Sequence, residues 1–382
     1  MKAFKKITGW LHLWLGLISG IILIVVALTG ALLTFEEELD PIFFKKSRVV
    51  EVSGTRLPVD SLVQIANTAF PGKKAARLII PETADRSVTA RIGARGKGLK
   101  IAYINPYTGA ILYKGPYEKE FFQQVRNLHR YLLMEETGKV ITGISCSICL
   151  FLVISGIIIW WPANKKAIKQ RFKIKWDASG KRLTWDLHSV SGFYISLFLL
   201  LITLTGFVWS YQWAEDLIYT LADGKQTKEA KVKNLEKLKV AKPGIYQGML
   251  DQTNQIYTYT GTVAFNLPAK PALAVTVQKE LEESVNRQVD AASFDSHTGK
   301  FISKLPYAKL SNGTKIRRMI LPIHTGSLLG WLTKLLYLIV CLFTASLPVT
   351  GLLIWLNRKK KSKTKSPRRR STVAKPKLVP AK

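Results

Sequence analysis

Acidic residues are scarce in this chain of 382 residues, which carries 57 lysines and arginines against 25 aspartates and glutamates. Cysteines are scarcer still, and Cys146, Cys149 and Cys341 all lie within apolar runs, which excludes a disulfide framework. We interpret the C-x-x-C pattern as small packing residues of a lipid-embedded helix. The short polar segments also lack a G-x-G-x-x-G fingerprint, which excludes a nicotinamide or flavin domain of the chain's own.

What the chain has instead is long apolar runs. Four runs of roughly 20 residues, almost free of charge, are long enough for helices to cross a hydrocarbon core of about 30 Å. The first run lacks the cleavage site of a signal peptide, so we interpret it as a retained helix. The runs are Leu11–Leu33, Val140–Trp161, Leu187–Trp209 and Leu335–Leu356.

The uneven placement of basic residues predicts the orientation. Three lysines lie in Met1–Gly9, eight lysines and arginines in Pro162–Arg182, and twelve in Asn357–Lys382. Four crossings put these segments on one side, which the positive-inside rule identifies as the cytoplasm. We therefore predict a multi-pass protein of the bacterial inner membrane with both termini in the cytoplasm. The basic tail is interpreted as a topology signal that contacts anionic lipid, and no nucleic-acid partner is expected.

Histidine and glycine spacings reveal an internal repeat. His12 and His188 each open an outward-going run, and glycines follow each of them after 4 and 18 residues. His129 and His324 each precede an inward-going run and are followed by a glycine after 27 residues. These equal spacings predict a duplicated unit of helix, outer domain and helix, with functional sites between the copies.

Each outer connection ends in a strand–turn–strand pattern around NPYTG (105–109) or DSHTG (295–299), which are polar turns closed by glycine. Upstream, Asp60–Ala69 has a helical period and Val88–Ile92 alternates, so we predict a small α+β module. The duplication predicts a second module, although Leu235–Gly261 has no assignable pattern.

The predicted fold is therefore a mainly α membrane protein, a four-helix transmembrane bundle with two periplasmic α+β modules. We divide the chain into a cytoplasmic N-terminus (1–9), a first span (10–35), a first periplasmic domain (36–126), a second span with an interfacial start (127–161), a basic cytoplasmic loop (162–182), a third span (183–211), a second periplasmic domain (212–322), a fourth span with an interfacial start (323–356) and a disordered basic tail (357–382).

Four of the five histidines lie at matching ends of the spans, two near each face. Neutral imidazole is a common metal ligand, and two histidines on separate helices can hold haem iron from both sides. Their depths predict two sites, His12 with His188 and His129 with His324. No C-x-x-C-H motif is present, so the expected cofactors are two non-covalent b haems. A zinc site would normally recruit more ligands.

Neighbouring residues fit this hypothesis. Gly16 and Gly192, one turn after the cytoplasmic pair, leave room for a flat ring. The fifth histidine, His297, occupies the DSHTG turn and is expected to be an exposed turn residue without a ligand role. Arginines near the periplasmic pair are candidates to contact haem propionates or an anionic substrate, or alternatively are interfacial residues that reach for the headgroups. They are Arg126, Arg130, Arg317 and Arg318.

The four histidine segments read GWLHLWLGLISG, NLHRYLLMEETGK with ISGIIIWWP, WDLHSVSGFY with LTG, and IHTGSLLGW with VTGLLIWLNR. These segments resemble the PepSY-associated transmembrane helix family, and the two outer turns resemble the end of PepSY modules. The resemblance covers Met1–Arg358 and leaves out only the basic tail.

This family includes iron-regulated inner-membrane proteins and siderophore reductases that carry two haems. The resemblance implies that electrons cross the membrane through histidine-ligated haems to a ferric chelate outside, and it places the ligand roles on His12, His129, His188 and His324. We therefore expect a haem-dependent oxidoreductase that reduces a ferric siderophore. The electron donor would be separate, either a quinol or a cytoplasmic reductase.

Two other functions remain as alternatives. PepSY modules resemble inhibitory segments of metalloprotease precursors, so the outer domains could bind or regulate a periplasmic peptidase, although a mere anchor would not need four paired histidines. Parallel repeats also occur in permeases. The near absence of charged residues in the middle of the spans argues against transport.

Overall fold

The computed structural model describes residues 2–94, 96, 98–162, 168–224, 232–235, 244–270, 272–281 and 288–363. Most of the predicted basic tail (357–382) and part of the basic loop (162–182) lie outside these residues. Within them, helices and strands follow in two similar series, which we call the first half and the second half.

The first half contains α1 (Lys2–Thr34), α2 (Glu36–Phe43), α3 (Lys45–Arg48), α4 (Val59–Thr68), β1 (Ala75–Ile80), β2 (Val88–Ile92), β3 (Lys100–Ile104), β4 (Ile111–Pro116), α5 (Phe121–Tyr131) and α6 (Glu135–Trp160). The short α7 (Ile168–Arg171) connects the halves. The second half contains α8 (Gly180–Ser210), α9 (Gln212–Asp223), α10 (Ile245–Ile256), β5 (Thr262–Asn266), β6 (Val275–Glu280), β7 (Val289–Phe294), β8 (Phe301–Leu305), α11 (Asn312–Thr325) and α12 (Trp331–Lys363).

Helices α1, α6, α8 and α12 are long and apolar enough to cross a membrane, which confirms the four predicted spans. Helix α1 packs against α6 and α12, and α8 packs against the same two helices. The spans therefore form a ring in which each half supplies one adjacent pair. We call the end of the bundle where α1 begins the terminal side, and the end that leads to the strands the sheet side.

The two predicted modules share one antiparallel sheet with the strand order β4-β3-β2-β1-β5-β6-β7-β8. Strands β1 and β5, the first of each half, pair with each other, and Leu78 lies opposite Phe265 in this pairing. Both side chains are fully buried. The modules join because each would otherwise expose an apolar edge strand, and the pairing covers both edges.

Helices α4 and α10 are equivalent in the two halves and contribute to one hydrophobic core with strands from both. They also cap each other. The Asp60 carboxylate of α4 accepts hydrogen bonds from the backbone N–H groups of Tyr246 and Gln247 at 3.2 and 2.9 Å. In return, the Gln247 side chain accepts from Val59 N at 3.1 Å. Helix α10 lies in the stretch for which the sequence pattern allowed no assignment.

Both predicted turns are present. The Asn105 side chain accepts hydrogen bonds from the second and third following backbone N–H groups at 2.9 and 3.2 Å, and Asp295 does the same at 2.9 Å each. The prediction that His297 is exposed is wrong, because its side chain is only 6% accessible. Residues 232–235 cross this turn, and Asn234 Nδ2 donates to Ser296 Oγ at 2.8 Å.

His129 and His324 lie on short helices of their own. We expected each to lie in the interfacial start of a span, at 127–161 and 323–356. In the structure this start is a helix of its own: α5 and α11 pack beside α1 and α8, and the separate helices α6 and α12 then cross the bundle.

Backbone geometry explains the break after α5. Leu132 and Leu133 have positive φ angles of 48° and 59°, so the chain leaves the helical path at this point. Helix α6 then returns so close to α5 that a Cβ on Gly138 would lie 1.6 Å from Tyr131 O. Only glycine fits there, and the tight reversal holds α5 at the sheet side of the bundle.

We expect the β1–β5 pairing to make the shared sheet unfold as one unit. Phe265→Ala should destabilise it by about 3–5 kcal/mol, because the change opens a cavity in the common core. The matched control is Phe301→Ala on edge strand β8, where the ring is 40% exposed and the loss should be much smaller. Pulse proteolysis in detergent, with fragments from both halves scored separately, measures the effect. Loss of the second-half strands alone would contradict a shared unit.

Candidate cofactor sites between the two halves

The four histidines singled out in the sequence form two pairs, one near each end of the bundle. The imidazole centroids of His12 and His188 are 6.3 Å apart, with ring planes at 85°. Those of His129 and His324 are 6.2 Å apart, with ring planes at 77°. Each pair takes one histidine from each half. His297 belongs to neither pair.

The spacing within each pair suits a metal ion bound between the rings. A metal–imidazole bond is about 2 Å long, and the ring nitrogen lies about 1.2 Å from the ring centre. Two rings on opposite sides of one metal therefore have centroids about 6.4 Å apart, which agrees with both observed separations. Within the described residues, no group of three or more His, Cys, Asp or Glu side chains is placed to hold a metal.

Each imidazole packs against a hydroxyl residue followed by glycine on a neighbouring helix, which we call a hydroxyl–glycine step. The distances from the histidine Nδ1 to the hydroxyl oxygen run from 2.8 to 3.1 Å. In each of the four contacts, the histidine and its hydroxyl–glycine step belong to the same half. The partners are His12 with Ser155-Gly156, His188 with Thr350-Gly351, His129 with Thr29-Gly30, and His324 with Thr205-Gly206.

The hydrogen bonds of His324 define the protonation of its ring. The Thr205 hydroxyl donates to the carbonyl of Leu201 in its own helix at 2.7 Å, so its oxygen accepts from His324 Nδ1–H at 2.9 Å. The same N–H lies 3.1 Å from the carbonyl oxygen of Ile202, which can only accept. The proton therefore sits on Nδ1, and the lone pair of Nε2 is free for a ligand. Such partners orient a ligating histidine and raise its basicity.

The glycine of each step makes room for the ring. A Cβ on Gly30 would lie 3.2 Å from His129 Cε1, and Cβ atoms on Gly156 and Gly351 would lie 3.4 Å from the Cε1 atoms of their histidines. At Gly30 even a Cβ would crowd the ring, and at Gly156 and Gly351 a Cβ would already be in van der Waals contact with it. The hydroxyl and the glycine therefore both help to position these three imidazoles.

The terminal-side pair lies in an apolar cavity of about 270 Å³. Gly16 and Gly192 line it, as the sequence predicted, and leave its walls without side chains at those points. The indole of Trp160 stacks on Phe193 at 3.8 Å and closes one wall. Two arginines that the sequence analysis did not single out, Arg171 and Arg358, also line this cavity.

The sheet-side pair lies in a larger and more polar cavity of about 530 Å³. It is lined by all four arginines proposed from the sequence and by Lys139 and Lys334. Glu36 and Glu37 are the acidic residues of its lining. Cations therefore outnumber acids in this cavity, which favours an anionic occupant or visitor.

The structure separates the four arginines into two kinds. Arg126 pairs with Glu36, and Arg317 Nε lies 2.7 Å from the Glu215 carboxylate. Arg130 instead lies over the Tyr131 ring, 5.1 Å from its centroid.

Arg318, like Arg130, has no carboxylate partner among the described residues. It donates to the backbone oxygen of Val289 at 3.0 Å. Arg130 and Arg318 come from different halves and are the two cations of this set whose charge remains available to an anion.

Burial keeps the sheet-side histidines neutral. It lowers the pKa of His129 to about 4, and the nearby charges of Arg130 and Arg126 act in the same direction. Burial and the neighbouring His129 lower the pKa of His324 to about 3. Both rings are therefore neutral at physiological pH, which is the state that binds a metal.

A thin partition separates the two cavities, because the same four residues line both. Each long helix contributes one of them, and the four are Leu23, Cys149, Leu199 and Thr344. Each leucine lies 11 residues after a terminal-side histidine. Cys149 and Thr344 each lie 7 residues before the glycine of a terminal-side hydroxyl–glycine step.

Two parts of the sites were missed in the sequence. The hydroxyl residues precede the glycines that revealed the repeat, so their pattern of Ser or Thr before Gly was present but had no assigned role. Arg171 and Arg358 lie in basic segments read as topology signals. A basic run does not show which of its members folds back over a cavity.

A search of curated proteins finds no match to this chain. A family model described as the PepSY-associated TM region matches residues 9–358, which include both histidine pairs, the shared sheet and all four spans. The duplicated architecture and this match together show that the chain is a multi-pass membrane protein of the PepSY-associated transmembrane-region family.

Proposed function

We propose that the chain binds two b haems, one at each histidine pair, and carries electrons across the bacterial inner membrane to a ferric siderophore in the periplasm. The observation that carries this proposal is the geometry of the pairs. In each pair, two imidazoles from different halves lie at a separation that would suit two ligands of one iron, and each has its Nδ1 within hydrogen-bond distance of a hydroxyl group.

The residues present fit haem. The cavities have mostly apolar walls, glycines leave space beside the rings, and cationic side chains line both cavities. With two nitrogen ligands and no cysteine thioether motif, the group would be a non-covalent b haem. When bound, haem supplies one-electron redox chemistry, while the protein supplies ligation and electrostatics.

The side chains around the pairs have separable tasks. The hydroxyl–glycine steps hold the imidazoles in place, so little rearrangement of the protein would accompany a change of charge on a bound iron. The partition between the two cavities is a single layer of four side chains. Such a short separation suits electron transfer between the two sites without a mobile carrier.

The positive-inside rule supports the orientation. The basic segments next to the terminal side would face the cytoplasm, so the shared sheet and the more cationic cavity would face the periplasm. Ferric siderophores are frequently anionic, and Arg130 and Arg318 are available to attract them to this cavity. Reduction would release iron because ferrous iron binds hard oxygen chelators less strongly. A quinol or a cytoplasmic reductase would be the donor.

The purified protein should contain two low-spin b haems per chain. His12→Ala and His188→Ala should lose the same haem, and His129→Ala and His324→Ala should lose the other. Because the ring planes within each pair are nearly perpendicular, the ferric state should give electron paramagnetic resonance signals of the strongly anisotropic, large-g type. Haem content and these spectra check the expectation.

The control for these variants is His297→Gln, which should keep both haems because His297 belongs to neither pair. Loss of one common haem by His12→Ala and His129→Ala would contradict the pairing. Absence of haem from protein made in haem-replete cells would overturn the proposed cofactor.

The hydroxyl partners should not be equally important. Ser155→Ala should weaken haem binding about 10- to 100-fold and raise the midpoint potential, because a ring that loses the hydrogen bond at Nδ1 donates less charge to ferric iron. Thr29→Val should have a smaller effect, since His129 also donates to Val26 O at 3.0 Å. Ser155→Thr should restore binding, because the other three steps use threonine. Equal effects of the first two variants would contradict this role of the hydroxyl.

The proposed substrate is tested with dithionite-reduced protein in nanodiscs. Stopped-flow mixing with a ferric siderophore should restore the oxidised spectrum and produce ferrous iron, captured by a chromogenic chelator. Arg130→Gln and Arg318→Gln should slow this step severalfold, and more so at low ionic strength, because they remove the charges that steer an anion.

Arg86→Gln is the matched control on the sheet side, where Arg86 makes only a loose pair with Asp85 at 3.9 Å. It should leave the rate unchanged. If haem is present but no ferric chelate reoxidises it faster than dissolved oxygen does, a ferric siderophore is not the substrate. The electrons would then have another periplasmic acceptor.

A further inference from the structure

A buried tryptophan, Trp160, forms part of the wall of the terminal-side cavity. The residue is 4% exposed, and its Nε1–H has no hydrogen-bond partner among the described residues. Stacking on Phe193, with the ring planes at 15°, holds the indole in place. A buried donor without an acceptor is rare in folded proteins, and one on a residue that lines a cavity is a candidate contact for a group that binds there.

Two guanidinium groups line the same cavity. Arg171, at the end of α7, donates from Nη1 to the backbone oxygen of Trp160 at 3.0 Å. Arg358, near the end of α12, lies over the Trp185 ring at 5.3 Å from its centroid. Neither makes an ion pair among the described residues, although both are placed at the cavity.

The charge balance of this cavity differs from that of the sheet-side cavity. Among the described residues, its lining contains Arg171 and Arg358 but no aspartate or glutamate, whereas carboxylates offset several cations on the sheet side. Two uncompensated positive charges and one unpartnered N–H donor in an otherwise apolar cavity match two carboxylates. Guanidinium groups bind carboxylates with strong, often paired hydrogen bonds.

We infer that Arg171, Arg358 and Trp160 Nε1 form a carboxylate subsite that takes the propionates of the porphyrin held by His12 and His188. The subsite orients this porphyrin with its carboxylates toward the terminal side of the bundle. It also requires α7 to lie against the cavity, since α7 carries one of the three groups. This inference rests on the proposed haem binding at the terminal-side pair.

The test compares two porphyrins that differ only in their carboxylates. Full-length apoprotein, carrying His324→Ala so that only the terminal-side site is filled, is titrated with haem b and with its dimethyl ester. Haem b should bind on the order of tenfold more tightly or better, because the ester cannot form charge-assisted hydrogen bonds. The absorbance of the low-spin complex measures both affinities.

Substitutions then assign the preference to the named groups. Arg171→Gln and Arg358→Gln should each reduce the preference for haem b over the ester, and the double variant should abolish it. Trp160→Phe keeps the stacked ring but removes the N–H, and should reduce the preference less. The control is Lys181→Gln, which removes an exposed charge on the same side and should leave the preference unchanged.

The outcomes separate this inference from the proposed function. If haem b and its ester bind equally well to the unsubstituted site, the protein binds haem but has no carboxylate subsite. If the arginine variants reduce the affinity for both porphyrins equally, the arginines support the fold alone, and the inferred subsite is again wrong. If neither porphyrin binds, the proposed haem binding is wrong, and so is the inference that rests on it.

Discussion

The contact between an imidazole ring and a hydroxyl–glycine step is the interaction on which this structure depends. It occurs four times, and each time it joins two helices of the same half. The hydroxyl fixes the ring's hydrogen bond, while the glycine lets the helices approach. One such contact lies near each end of α1 and of α8. These contacts therefore help to set the position and tilt of the helices that pack against α1 and α8.

The two halves are then held together by different means at different depths. Within the bundle, α1 packs on α12 and α6 on α8. On the sheet side, the β1–β5 pairing makes one core from both modules, and Asp60 and Gln247 cap each other's helices. A rigid connection is necessary because each histidine pair spans the boundary between the halves. A shift of one half against the other would change both ring separations at once.

Much of this arrangement was predictable, because it depends on regular spacing. The four spans follow from their apolar runs, and the depth of each histidine follows from its distance to the glycine near the far end of a span. What was missed depends on contacts that are distant in the chain. The pairing of Leu78 with Phe265, the burial of His297 beneath residues 232–235, and the placement of Arg171 and Arg358 at one cavity leave no local pattern. The separate helix α5 was missed because it depends on two leucines with positive φ, which residue type does not favour.

The division of each histidine pair between the halves has a consequence for the origin of this architecture. One repeat carries a single histidine for each site, so an unduplicated ancestor could have built both sites only as a homodimer. In such a dimer the two ligands of a site are identical, as are the arginines on either side of it. Fusion into one chain removed that constraint. Arg171, which lies on the connection itself, is a residue that only the fused chain could place beside a single site.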